Sequence, residues 1–251
     1  MNYSPHYSPG PDLLKDRVIL VTGAGQGIGK TAALAYALHG ATVILLGRKQ
    51  KRLDAVYDEI VTCGYPEPMA LKLDLAQASD VDFQAMAQAI FEQLGRLDGM
   101  LHNAARFDGL APLEYQSLDQ WMDTLRVNLA APVALTRACL PLLTRSPDSA
   151  VLLTSETHGH QPAAFWGAFA VSKWALEALV TIWAQELAVH PNLRMNVVIP
   201  GPVRAPQRLI SHPAEDRMQL PEPTRLMPLY LYLMGPDSRE HSGKIFEAQI
   251  S

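Results

Sequence analysis

Cysteine is nearly absent: Cys63 and Cys139 are the only two in 251 residues. Two thiols make neither a disulfide framework nor a cysteine-based metal site, so no metal is expected and the pattern suits a reducing cytoplasm. A basic surplus is also missing. Lys and Arg number 21 against 25 Asp and Glu, a formal net charge of -4, which speaks against nucleic acid as a partner. No uninterrupted run of about 18 apolar residues is present, so no membrane association is expected. The nearest approach, Leu129–Thr144, is broken by Pro132, Arg137 and Pro141. Met1–His6 lacks the basic start and apolar block of a secretory signal. Internal repeats and low-complexity blocks are absent as well. These absences point to a soluble cytoplasmic protein.

What is present is apolar sequence in short, regular pieces. Hydrophobic residues make up 48% of the chain, enough for one large core without staples. Residues 1–12, rich in Pro, read as a flexible arm, and residues 13–251 as a single domain. Val18–Thr22, Thr42–Leu46, Met69–Leu73, Leu97–His102, Ala150–Thr154 and Met195–Ile199 read as buried strands. Helical segments lie between them: Gly27–His39, Lys49–Thr62, Ser79–Leu94, a segment from Ser117 towards Leu143, and Phe165–Val189. Pro132 and Pro141 are expected to bend or shorten the fourth of these. Strand–helix alternation implies an α/β fold of Rossmann type, a doubly wound, mostly parallel sheet with helices on both faces. The polar segment 204–223 follows a strand end and is a candidate substrate lid, although an ordinary surface loop would read the same.

Thr22-Gly23-Ala24-Gly25-Gln26-Gly27-Ile28-Gly29 joins the first strand to the first helix. Glycines there let the backbone approach a pyrophosphate, and the helix N-terminus faces the anion. The end of the second strand sharpens the reading. A site for NAD(H) usually carries an acidic residue there for the ribose diol. This chain has Arg48-Lys49, with Lys51 and Arg52 close behind. A guanidinium suits a 2′-phosphate, so the expected cofactor is NADP(H) in preference to NAD(H), with Arg48 as its leading contact.

The chain resembles the short-chain dehydrogenase/reductase family over about Leu14–Ala248. The glycine segment matches the family pattern at Gly23, Gly27 and Gly29. Asp74-Leu75 matches the acidic position after the third strand, which the resemblance assigns to adenine contact. His102-Asn103-Ala104-Ala105 looks like the family's NNAG, with His for the first Asn and Ala for Gly. Asn128 matches the helix Asn of the active-site relay, and Pro200-Gly201 the turn walling the nicotinamide pocket. The resemblance also implies a homodimer or homotetramer built through the helices around Leu118–Leu143 and Trp166–Val189, with Trp174 and Trp183 at the interface or in the core.

The catalytic residues depart from the pattern. The family's YxxxK pair becomes Phe169-Ala170-Val171-Ser172-Lys173: the Lys is kept and the phenol is lost. Phe has neither a hydrogen-bond donor nor an ionisable group. The family's Ser, about thirteen residues earlier, maps to Glu156, with Ser155 one place off; its Thr after the Pro-Gly turn maps to Ala205. Of the usual four catalytic residues, Asn128 and Lys173 remain. Glu156 is the first candidate for a substitute proton donor, or else an ion-pair partner of Lys173; His158 and His160 follow it in the same loop. Two readings remain open. One is an NADP(H)-dependent oxidoreductase of a small carbonyl or alcohol with an atypical proton donor. The other is a catalytically silent dinucleotide binder, such as a redox sensor or assembly subunit. A scaffold that has also lost the nucleotide is a third.

Overall fold

The structure, a computed structural model, describes residues 7–249. Residues 1–6 of the expected arm lie outside the described residues. From Tyr7 the arm runs along the body, where the Tyr7 hydroxyl donates to Asp237 at 2.8 Å and its ring meets Tyr232 edge-on.

Seven parallel strands form one sheet: β1 (Val18–Thr22), β2 (Thr42–Gly47), β3 (Met69–Lys72), β4 (Gly99–His102), β5 (Ser149–Thr154), β6 (Leu193–Ile199) and β7 (Lys244–Glu247). Their spatial order is β3-β2-β1-β4-β5-β6-β7. The order reverses direction between β1 and β4, and in such sheets ligands sit beyond the strand ends at that point. Every residue of β1, β4, β5 and β6 is buried, as expected of strands covered on both faces. The expected parallel, doubly wound sheet is therefore found.

Helices cover the two faces. One core gathers α1 (Gly27–Leu38), α2 (Gln50–Thr62) and α9 (Met227–Met234) around Ile19, Val21, Leu45 and Tyr230. The other gathers α3 (Asp80–Leu94), α5 (Ala131–Arg145) and α7 (Gly167–Glu186) around Leu20, Leu46, Met100 and Val197. The other α-helices among the described residues are α4 (Leu118–Leu125), α6 (Thr157–His160) and α8 (Pro206–Ser211). Ser79 and Ser117 each start a helix with a reciprocal capping box, to Asp82 and Gln120, so the Ser117 start matches the sequence. Trp183 packs against the second core, whereas Trp174 is exposed.

Neither Pro132 nor Pro141 ends the helical segment, and Pro141 lies inside α5. A π-turn, Arg126–Ala130, joins α4 to α5 into one helical run, and Pro132 sits in the first turn after it. Proline lacks an N–H, and a wider turn accommodates that loss without ending the helix. By length and composition alone the run Leu118–Arg145 is long and apolar enough to cross a membrane, although prolines interrupt its apolar sequence. In this fold 44% of its most apolar stretch is buried within the protein, and the α5 part packs against α3.

Candidate functional site

A cleft of about 720 Å³ opens at the C-terminal ends of β1, β2, β4, β5 and β6, within the size range of small-molecule sites. Its first wall is the glycine loop between β1 and α1. Gly23 and Gly27 take φ values of 69° and 55°, which side-chain-bearing residues rarely adopt. Gly29 is required for contact rather than conformation. A Cβ there would lie 2.4 Å from the Gly23 carbonyl oxygen and 2.7 Å from Asn103 Nδ2. Thr22 locks the loop to the next wall: its hydroxyl accepts the backbone N–H groups of Asn103 and Ala104, each at 3.0 Å.

Arg48, Lys49 and Arg52 line the cleft where β2 ends, and Arg48 is exposed and enters no ion pair among the described residues. Arg52 donates to the Gln26 side chain, bringing the basic helix start onto the glycine loop. Asp74 lines the neighbouring wall and accepts from the Ala76 N–H at 3.0 Å; Leu75 is buried beside it. Pro200 and Gly201 border the far side, where the Gln249 amide donates to the Pro200 and Pro202 carbonyls. Thus Gly23, Gln26, Gly27, Ile28, Arg48, Asp74, Leu75, Asn103, Pro200 and Gly201 all line one cleft. Gly29 stands just behind it.

The residues fit a dinucleotide. The glycine loop forms a cradle that a Cβ at Gly29 would fill, the N-terminus of a 12-residue helix faces it, and unpaired cationic charge stands at the ribose end. Gly27 also lies under α8, where a Cβ would come within 3.1 Å of Pro206 Cδ. Residues Ala205–Arg208, Ile210 and Ser211 line the cleft, so the first part of segment 204–223 faces it. Far from being an irregular loop, that segment contains α8, and an Arg208–Glu215 ion pair at 2.6 Å closes it on itself. Ala205 sits at the α8 N-cap and supplies no side-chain cap.

The opposite end of the cleft is built around Lys173, Phe169, Ser155 and Glu156. Lys173 is fully buried and donates from Nζ to the Thr154 carbonyl at 2.7 Å. Burial pushes its ammonium down to about 8, against the opposing pull of Glu156 and Glu177. The sequence allowed a Glu156–Lys173 ion pair, and the structure shows none. Glu156 instead caps α6, Oε2 accepting the His158 N–H at 2.5 Å. The reason is local: the first turn of α6 offers a free N–H two residues on. Ser155 lies at the cleft wall, but its hydroxyl donates to Glu177 Oε1 at 2.5 Å.

Glu177, unremarked in the sequence, is a buried carboxylate that also binds His160 Nδ1 through Oε2 at 2.8 Å. Its spacing of four from Lys173 was the available signal. Asn128 is buried in the π-turn. Its side chain accepts from the Arg106 N–H at 2.7 Å and donates to the Arg106 carbonyl and to Ser172 Oγ, the latter at 3.0 Å. It braces β4's following loop against α7.

Phe169 is 4% exposed and packs edge-on against Phe107, centroids 4.9 Å apart. Trp166 stacks on Phe107 at 5.4 Å, and the His158 ring lies 4.3 Å from Trp166. The wall that the resemblance assigns to a phenol is therefore an aromatic cluster without a hydroxyl. His102 is buried as well, its Nε2 paired with Thr136 Oγ1 at 2.7 Å. Burial, with Lys173 adding to it, lowers its pKa to about 3, so the ring is neutral. Among the described residues no cluster of metal-ligating side chains occurs.

Comparison with known proteins places this arrangement. The family model for short chain dehydrogenases matches residues 17–213. The uncharacterized oxidoreductase YciK of Escherichia coli K12 is 43% identical over 244 residues, 97% of this chain and 96% of its own. A short chain dehydrogenase of Shigella flexneri, solved with NADP, is 42% identical with a TM-score of 0.93, the alignment covering 96% of this chain and 100% of that one. A short chain dehydrogenase of E. coli CFT073, solved with NADPH, is 43% identical with the same TM-score and coverage.

Proposed function

The chain belongs to the short chain dehydrogenase family, and from that premise we propose that it is an NADP(H)-binding oxidoreductase of a small molecule, working without the family's usual proton donor. The observation that carries this reading is the cradle of Gly23, Gly27 and Gly29 with Arg48 beside it and uncommitted to any carboxylate. The relatives solved with NADP and NADPH support the same cofactor. When bound, NADP(H) supplies or takes up a hydride. The glycine loop and the α1 N-terminus hold the pyrophosphate, Arg48 the 2′-phosphate, Asp74 and Leu75 the adenine side, and Asn103, Lys173, Pro200 and Gly201 the nicotinamide half. Lys173 brings a buried charge to the ribose, and Asn128 keeps the Arg106 segment and α7 in register around it. Residues 205–211 lie over the cleft mouth as a lid.

Titration with NADPH and NADH tests the cofactor assignment directly. NADPH is expected to bind at least tenfold more tightly, and Arg48→Ala should remove most of that preference, the worth of one charge-assisted phosphate contact. Equal affinity for the two nucleotides in the unmodified protein overturns it.

A second reading, a dinucleotide binder without turnover, is favoured by the buried Phe169 and by the commitment of Ser155 to Glu177. NADPH binding without oxidation across a panel of aldehydes, ketones, quinones and imines would select it. Exposed apolar side chains on α4 and α7, among them Leu118, Met122, Trp174 and Ile182, support a homodimer or homotetramer.

A further inference from the structure

Carbonyl reduction puts negative charge on the substrate oxygen, which must then receive a hydrogen bond or a proton. The wall beside Lys173 is poorly made for that. Phe169 has no donor, the Ser155 hydroxyl is given to Glu177, and the residue at the family's Ser position is the carboxylate of Glu156. A carboxylate repels a developing alkoxide and attracts a cation.

The charge balance around the cleft favours the cation further. Arg106 is matched by Asp108 and Asp123, and Arg208 by Glu215. Lys173 is turned to the Thr154 carbonyl, with Nζ 5.8 Å from the Phe169 ring centroid, and its charge attracts Glu156 without an ion pair forming. Glu156 has no ion-pair partner among the described residues, and among them only the His158 N–H, at Oε2, donates to its carboxylate, so Oε1 has no donor. Phe107 and Phe169 line the same cleft and offer ring faces or edges rather than hydrogen-bond partners. A carboxylate without an ion-pair partner, in a cleft that aromatic rings also line, suits an organic nitrogen cation.

Resting on the oxidoreductase reading above, we propose that the substrate's reacting group is a carbon–nitrogen double bond, an iminium, and that Glu156 is the residue that selects it. The chemistry needs no phenol. With a reduced nicotinamide dinucleotide as hydride donor, the hydride forms a C–H bond at the iminium carbon. The C=N π pair moves onto nitrogen and cancels its positive charge. No proton is taken from the protein, and the neutral amine acquires its proton from solvent after release. In the oxidising direction the nitrogen lone pair forms the double bond as hydride leaves. Glu156 contributes before the step: a carboxylate beside the nitrogen raises the imine's pKa and holds it in the protonated, electrophilic form. The substitutions at 156 and 169 then describe a change of substrate class rather than a loss of function.

The test pairs a dihydroisoquinoline with tetralone, its ketone counterpart, in NADPH oxidation. Calorimetry on the NADP-loaded protein pairs tetrahydroisoquinolinium with neutral tetralol. The imine should be reduced with kcat/KM at least about tenfold above the ketone, and the cation should bind at least about tenfold tighter than the alcohol. Glu156→Gln, which keeps the α6 cap acceptor, should remove both preferences while NADPH affinity stays within about twofold. Ketone turnover equal to or above that of the imine, or imine preference surviving in Glu156→Gln, overturns this inference and leaves the oxidoreductase reading standing. NADPH binding with turnover of neither compound overturns both.

Discussion

The two ends of the cleft are made of different material. The glycine end is largely backbone: φ values of 69° and 55° at Gly23 and Gly27, the Gly23 carbonyl beneath Gly29, and N–H groups pinned by Thr22. The end at Lys173 is made of side chains, and there Glu156 and Phe169 occupy the positions to which the resemblance assigns Ser and Tyr. A side-chain exchange at one end leaves the other's backbone untouched. Binding of the cofactor and handling of the proton are therefore separable, and under the function proposed above this chain keeps the first while changing the second.

The sharpest way to probe that separation is to put the family residues back. Glu156→Ser combined with Phe169→Tyr should raise ketone reduction by about 10²–10⁴, the range of positioned acid–base catalysis, with NADPH affinity within about threefold. A steady-state assay on tetralone with parallel titrations measures both quantities. An unchanged rate with intact binding would mean that Lys173 and Asn128 are not placed to serve a phenol.

The converse experiment breaks the glycine end. Gly29→Ala puts a methyl 2.4 Å from a backbone oxygen, which cannot swing aside as a side chain could. NADPH affinity is expected to fall by about a hundredfold, roughly the cost of distorting a close backbone approach. Fluorescence titration would reveal it, and near-wild-type affinity would show that the cradle is not where the pyrophosphate lies.

The smallest expected effect concerns stability, at the boundary between the ends. His102 is held neutral by burial, with its pKa lowered to about 3. The unfolded chain takes up a proton near pH 6.5, so the native state's advantage is whole above that value and is lost as pH falls from there towards 3. Between pH 7 and pH 5 this residue alone should cost about 2 kcal/mol of unfolding free energy. His102→Asn, the residue the resemblance assigns to this position, should flatten that acid limb by the same amount. Urea midpoints across the range give the answer, and an unchanged slope would place the acid sensitivity elsewhere.

Much of the cofactor end was legible in the sequence because its signals are local. A buried five-residue strand, a glycine turn and a helix are consecutive, and Arg48 follows β2 by a single residue. The parallel, doubly wound character of the sheet followed from alternation alone; the order of its strands did not. At the other end, identities could be read but orientations could not. Whether Ser155 faces the cleft or Glu177 depends on a contact 22 residues away, and the His102–Thr136 pair spans 34. The ion pair allowed between Glu156 and Lys173 failed because α6, only four residues long, offered a nearer donor. The last elements, α9 and β7, gave no periodic signal. The helix MPLYLYLM is apolar on every side because it is buried, and the strand KIFE is a short sheet edge.

The π-turn at Arg126–Ala130 acts as a phase correction. A regular helix advances about 100° per residue, so α4 and α5 wound without interruption would hold one fixed angle between Asn128 and the core stripe of Leu135, Cys139 and Leu142. One extra residue per turn resets that angle, letting the upstream half face α7 and the Arg106 loop while the downstream half faces α3. The two halves of the run can then accept substitutions independently, provided the length between them does not change. Here insertions and deletions, more than substitutions, are the changes the protein has little room to absorb.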